Sequence, residues 1–144
     1  MSRDGGGVIV FTKEGLICEE VKFDSWNDIE MIVFKVLFHQ KTLICACIYR
    51  PPEPGDYYNL KILQAIKEIS NINADQYLIC GDFNYSKIDW NNHDIPTAVR
   101  DERMFYDSVQ SAFLHQHVTE FTRQRGSDEP SLLDLVMSKK QAIN

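Results

Sequence analysis

Leu78-Ile79-Cys80-Gly81-Asp82-Phe83-Asn84 reads as a short buried strand that breaks on a glycine and then delivers two polar side chains, Asp82 and Asn84. Side chains two apart along an extended chain face the same way, so a carboxylate and a carboxamide are expected together at the strand's end. A carboxylate in that position can hold a metal ion or orient water. An amide beside it can donate to a phosphoryl oxygen without adding repulsive charge. Asp and Asn are also common turn formers, so the same Asp-x-Asn has a purely local reading.

Such a strand needs neighbours, and two lie upstream. The runs from Ile29 to Phe38 and from Leu43 to Tyr49 are rich in β-branched and aromatic residues and flank His39-Gln40-Lys41, which predicts an antiparallel hairpin. Their near-continuous apolarity predicts strands covered on both faces. Arg50-Pro51-Pro52-Glu53-Pro54-Gly55 ends the second strand, since proline cannot continue a ladder. Tyr49 and Arg50 are therefore expected to project from a rigid rim. There the Tyr49 hydroxyl can reach a phosphate, or the ring can sit half-buried as an ordinary strand aromatic, and Arg50 can instead bind a carboxylate. Asp56 is placed as the N-cap of an amphipathic helix with Leu60, Leu63, Ile66 and Ile69 in one stripe, stopping at Asn71-Ile72-Asn73. Nearer the N-terminus, Gly5-Gly6-Gly7 leads into Val8-Ile9-Val10-Phe11, read as a short strand ending near Lys13-Glu14-Gly15.

Downstream, Phe105, Val109, Ala112 and Phe113 mark a second helix beyond a polar segment. The run Leu132-Leu133-Asp134-Leu135-Val136-Met137, within Ser131 to Ser138, reads as a last strand, although its length leaves a helical turn open. Asp134 is an acid inside an apolar run, where a carboxylate needs a partner against its desolvation cost, and an imidazole is one familiar partner. Thr122 and Arg123, in the polar stretch before it, are candidates to contact substrate phosphates; Arg123 also reads as an ordinary surface cation. Strands mixed with helices predict an α+β or layered α/β arrangement.

Length and composition set the frame. A chain of 144 residues with 44% hydrophobic content, eight Phe and six Tyr supports one packed domain, residues 1–144. The net charge of −6 excludes a generally basic nucleic-acid-binding surface. It is compatible with a carboxylate nest whose bound cations present the positive charge to a phosphate. Cys18, Cys45, Cys47 and Cys80 lack zinc-ribbon spacing and sit in or near apolar runs, which reads as buried thiols in a reducing interior. With neither a secretory segment nor a bilayer-length apolar stretch, the expected location is intracellular, nuclear or cytoplasmic, away from the membrane.

Taken together and in order, Gly5-Gly6-Gly7-Val8, Ile48-Tyr49-Arg50-Pro51-Pro52, Gly81-Asp82-Phe83-Asn84 and Thr122-Arg123 with Leu133-Asp134-Leu135 resemble the endonuclease/exonuclease/phosphatase superfamily, and within it the non-LTR retrotransposon endonucleases. The resemblance implies a partial DNase-I-like four-layer α/β sandwich with mixed, mostly antiparallel sheets. It implies Mg²⁺- or Mn²⁺-dependent hydrolysis of a phosphodiester, with DNA as substrate, nicked to prime reverse transcription, and a reverse transcriptase domain in the parent polyprotein. By resemblance, Asp82 handles a metal or the nucleophilic water, and Asn84 and Tyr49 contact the attacked phosphate. Asp134 orients the family's catalytic histidine, while Arg50, Thr122 and Arg123 contact substrate. The family's upstream metal-binding Glu and its downstream Ser-Asp-His-type motif find no match here, so the domain is expected to be truncated at both ends. His39, His93, His115 and His117 offer no replacement. An inactive remnant serving as a binding module is the alternative.

Overall fold

The computed structural model describes residues 7–97 and 99–140. Six strands form one sheet: β1 Ile17–Glu20, β2 Glu30–Phe38, β3 Lys41–Tyr49, β4 Gln76–Asp82, β5 His115–Gln116 and β6 Asp134–Lys140, in the order β1-β2-β3-β4-β6-β5. The β3–β4 pair is parallel and every other pair is antiparallel, so the sheet is mixed and mostly antiparallel. Two helices, α1 Asp56–Asn71 and α2 Arg100–Ser111, pack against each other. The parallel pairing follows from the Pro-rich break after Tyr49, since α1 carries the chain back so that β4 starts at the same end of the sheet as β3.

The predicted hairpin is present. His39 and Gln40 form its two-residue turn, both with positive φ (46° and 64°), matching the twist of the flanking strands. Along β3, Ile44, Ala46 and Ile48 are buried and alternate with half-buried Leu43, Cys45, Cys47 and Tyr49. The buried set joins Tyr77, Ile79, Leu135 and Met137 from neighbouring strands with Ile62, Ile66 and Ile69 of α1 and Phe105 and Val109 of α2 in one core. The helices therefore cover one face of the sheet. The other face, bearing Ile32, Phe34, Cys45, Leu78 and Val136, remains partly exposed among the described residues. The helix side meets the expectation of strands covered on both faces, and on the second side the apolar side chains that such a layer would bury are only partly covered by the described residues.

Three smaller expectations change. Val8 to Phe11 is not a strand, and Ile9 and Phe11 are exposed, because β-forming composition without a partner strand makes no ladder; Gly5 and Gly6 lie outside the described residues. In α1 the N-cap position is Gly55, at φ 89°, with Asp56 in the first turn beside the helix's positive end. The buried stripe of that helix runs through Tyr58, Asn59, Ile62, Ala65, Ile66 and Ile69, while Leu60 faces outward.

Candidate active site

The register of the sheet puts three singled-out residues in one row. Tyr49 pairs with Asp82 across β3 and β4, and Asp82 pairs with Asp134 across β4 and β6. Paired residues on adjacent strands point to the same face, so the phenol and both carboxylates share the face turned away from the helices. Gly81 makes the row possible. Its φ is +148°, and a Cβ there would lie 1.8 Å from the carbonyl oxygen of Ile48. Any side chain would push β3 and β4 apart immediately before Tyr49 and Asp82. Beyond the row, the Arg50 amide donates to the Asp82 carbonyl (2.8 Å) and the Phe83 amide to the Leu133 carbonyl (2.9 Å), so all three strand ends stay tied.

Asn84 does not continue the strand. It sits in the left-handed region (φ 51°), its backbone N–H donating to Asp82 Oδ1 at 3.2 Å and its Nδ2 to the Arg50 carbonyl at 2.8 Å. The turn reading of Asp-x-Asn holds, and the turn brings the Asn84 amide back to the Asp82 carboxylate. Arg50, expected to project, is turned inward and only 5% exposed. Its Nε donates to Asn59 Oδ1 (2.8 Å), its Nη1 to the carbonyls of Phe83 (3.2 Å) and Asn84 (3.1 Å), and its guanidinium lies 3.9 Å from the centre of the Tyr85 ring. Neutral acceptors and a ring face satisfy the cation better than the rim would, and the fork holds the 83–85 turn against α1.

Asp134 is exposed at the start of β6, not enclosed within an apolar strand as expected, because Leu133 and Leu135 carry the burial and Asp134 alternates to the open face. Thr122 fixes this start: its Oγ1 accepts from the amides of both Leu133 and Asp134, each at 3.0 Å. Arg123 is anchored through its backbone to Ser131, and its positive charge favours the ionised Asp82 carboxyl. Burial and the nearby Asp134 carboxylate outweigh it, with the Asn84 hydrogen bonds also opposing, and leave the Asp82 pKa above the ordinary carboxylate value. A cavity of about 680 Å³ lies beside Arg50 and Asn84, its lining mixing the cations of Lys87, Arg123 and Arg125 with the carboxylates of Glu53, Asp101, Glu102, Asp128 and Glu129.

Sequence reasoning missed Asn59 and Asp101. Asn59, buried in α1, passes the Arg50 contact on to α2 by donating to Asp101 Oδ2 at 2.7 Å. Its signal was positional, as Asn59 stands in register with Ile62, Ile66 and Ile69, where the buried stripe calls for an apolar residue. The histidines stay away from the row: His117 Nε2 lies 2.7 Å from Ser138 Oγ on the far strands, and His93 meets the Tyr106 hydroxyl. Among the described residues, no group of three or more His, Cys, Asp or Glu is placed to hold a metal ion. The donor set at the row is the Asp82 and Asp134 carboxylates, neither in a salt bridge among the described residues, and hard oxygen donors of this kind suit a divalent cation.

Residues 43–144 match the model of the endonuclease-reverse transcriptase family, a span containing the whole row. The chain belongs to that family. Among solved structures, the endonuclease domain of TRAS1, a telomere-specific non-LTR retrotransposon, superposes with a TM-score of 0.65 at 14% identity, covering 85% of this chain and 54% of that one. An endonuclease/exonuclease/phosphatase family protein from Leptotrichia buccalis matches with a TM-score of 0.52 at 13% identity, over 76% of this chain and 41% of that one. The inositol polyphosphate 5-phosphatase domain of spSynaptojanin, in complex with inositol (1,4)-bisphosphate and calcium ion, matches at 0.50 and 11%, over 87% and 47%. This endonuclease-reverse transcriptase family member thus has the DNase-I-like α+β fold and spans about half the length of the solved structures it matches. None of the curated proteins matches it. No helix among its described residues is long and apolar enough to cross a membrane.

Proposed function

We propose that this chain provides the phosphate-handling end of a DNA-nicking endonuclease, a phosphodiester hydrolase dependent on Mg²⁺ or Mn²⁺ that works with a reverse transcriptase domain of the same polyprotein inside the cell. The observation that supports the reading is the row Tyr49, Asp82, Asp134, with Asn84 folded back onto Asp82 and the Arg123 charge acting on the Asp82 carboxyl. Asp82 is the candidate metal ligand, and the adjacent Asp134 carboxylate creates a repulsion that a divalent cation or an imidazolium beside Asp134 relieves. When bound, the cation supplies Lewis-acid stabilisation of a phosphoryl oxygen.

The chain's own residues do the rest. The Tyr49 hydroxyl, on the same face as Asp82, donates to a phosphoryl oxygen, and the Asn84 amide, held between the Arg50 carbonyl and the Asp82 carboxylate, turns to the same oxygen when a cation takes over that carboxylate. Arg123 draws the phosphate toward Asp82. Arg50 and Thr122 act on substrate indirectly, Arg50 by shaping the Asn84 turn and Thr122 by pinning the start of β6.

Plasmid nicking with Mg²⁺ or Mn²⁺ by the purified chain, run beside Asp82→Ala, tests the reading, with Mn²⁺ binding followed by water-proton relaxation in both proteins. Nicking and Mn²⁺ binding that are both lost in Asp82→Ala support it. Nicking that survives the substitution sinks it. Neither activity nor Mn²⁺ binding in the parent chain favours a non-catalytic binding module.

A further inference from the structure

The buried guanidinium of Arg50 has no carboxylate in salt-bridge contact among the described residues, yet one stands a single amide away. Asn59 Oδ1 accepts from Arg50 Nε at 2.8 Å and from the Tyr85 hydroxyl at 3.4 Å, while Asn59 Nδ2 donates to Asp101 Oδ2 at 2.7 Å. An ionised carboxylate only accepts, so Asp101 takes the NH₂ end of Asn59 and leaves the carbonyl end for the two donors. The flipped amide would set NH₂ against the guanidinium and oxygen against the carboxylate. The two charges therefore fix one orientation of Asn59. An anion in the first turn of α2 is favoured by the helix in any case. Here Val99 at the N-cap supplies no side-chain hydrogen bond, and the Asp101 oxygen goes to Asn59. Burial pushes the Tyr85 hydroxyl's pKa up, Arg50 opposes it, and the Asp101 and Glu102 charges add to the rise, so the charge of this turn is felt at the ring on which Arg50 lies.

We propose that Asp101 is a positioning residue for the phosphate end of the site, acting through Asn59 and Arg50 on Asn84. The last link is reciprocal: Arg50 Nη1 donates to the Asn84 carbonyl at 3.1 Å, and Asn84 Nδ2 donates to the Arg50 carbonyl at 2.8 Å. A guanidinium without its fixed acceptor at Asn59 is free to turn about its stem. The Asn84 turn, at φ 51°, then loses a bond that holds it in a conformation a non-glycine residue keeps only under constraint. The start of α2 thus sets where the Asn84 amide stands relative to Asp82. This role rests on the reading of Asn84 as a phosphate contact, whereas the relay is measurable without any activity.

The test compares nuclear magnetic resonance spectra of the folded, isotope-labelled chain with those of Asp101→Ala, Asp101→Asn and Glu102→Gln. In Asp101→Ala the Arg50 Nε–H should exchange with solvent about tenfold faster or more. The Asn84 side-chain amide should shift, while the backbone amides of Ile44 and Ile79 in the core stay protected as in the parent. Asp101→Asn still offers an oxygen to Asn59 and should restore most of the protection; Glu102→Gln should change neither signal. In an Asn59→Ala background, where the relay is cut, Asp101→Ala should add nothing at Asn84. Where the parent nicks DNA, Asp101→Ala should lower kcat while KM moves by less than about twofold. Unchanged Arg50 and Asn84 signals in Asp101→Ala, an equal effect of Glu102→Gln, an effect that persists without Asn59, or a nicking defect carried by KM alone would overturn the assignment. So would loss of folding or an acceleration shared by Ile44 and Ile79, which marks a merely structural role. A parent chain that does not nick sinks the phosphate reading and leaves the spectra to decide the relay.

Discussion

Replacing Arg50 by methionine keeps the aliphatic stem and removes a guanidinium that makes three hydrogen bonds and one ring contact. Hydrogen bonds to a charged group contribute about 1.5–3 kcal/mol each, and a desolvated cation–π contact adds about 1–2 kcal/mol. Against that gross gain stands the cost of keeping a guanidinium only 5% exposed, which is several kcal/mol for a buried ion. The acceptors left behind are neutral, and the adjoining cavity lets water reach some of them, which softens the loss further. The net expectation is a destabilisation of about 2–4 kcal/mol. Urea unfolding followed by the fluorescence of buried Trp26 and Trp90 measures it. With a slope of about 1–3 kcal/mol per molar urea, the midpoint should fall by on the order of 1–2 M. Arg50→Lys should recover little, because an ammonium cannot present the planar fork to Asn59 and the 83–84 carbonyls together. A substrate-only role for Arg50 predicts a stability change within about 0.5 kcal/mol, as for surface positions. That result would refute the argument that Arg50 holds the Asn84 turn.

Gly81→Ala should cost at least about 3 kcal/mol, since its Cβ would collide with the Ile48 carbonyl at a backbone position neither strand can yield easily; circular dichroism of the variant with an unchanged melt would contradict the close approach of β3 and β4. Thr122→Val should lower stability by about 1–2 kcal/mol by orphaning two amides, and hydrogen exchange at Leu133 and Asp134 should accelerate more than at Val136. Asp82 has its pKa raised by burial and by Asp134, so its contribution to stability is fully present below the ordinary value of 3.8 and is lost as pH rises through the raised one. Asp82→Asn should therefore melt higher than the parent near neutral pH, with the difference shrinking in acid. A constant difference across a pH series of melting curves would count against that electrostatic account.

Much of the local architecture was legible because its causes are local. β-branched composition, a two-residue turn at His39-Gln40 and the proline break after Arg50 are enough to mark β2 and β3, and α1 ends where its Asn71-Ile72-Asn73 stop was read. The positions of Tyr49 and Asp82 at strand ends were readable from the breaks that follow them, whereas Asp134 was read inside its strand and stands at the start of β6. Val8 to Phe11 shows the limit of composition, since a strand exists only where another strand shares its hydrogen bonds. The phase of α1 shows the limit of periodicity: both Leu60 and Asn59 can begin a stripe, and the sheet's position chose Asn59.

What the sequence by itself determined is the set of segments, the residue types at their ends and the family they resemble. Only the tertiary structure decided that Tyr49, Asp82 and Asp134 stand in one row and that Arg50 turns inward to Asn59 and Tyr85. The physical reason is range. Side-chain alternation and turn chemistry act over a few residues and leave a readable pattern, whereas strand order and register are set by how distant segments bury their apolar faces against shared helices.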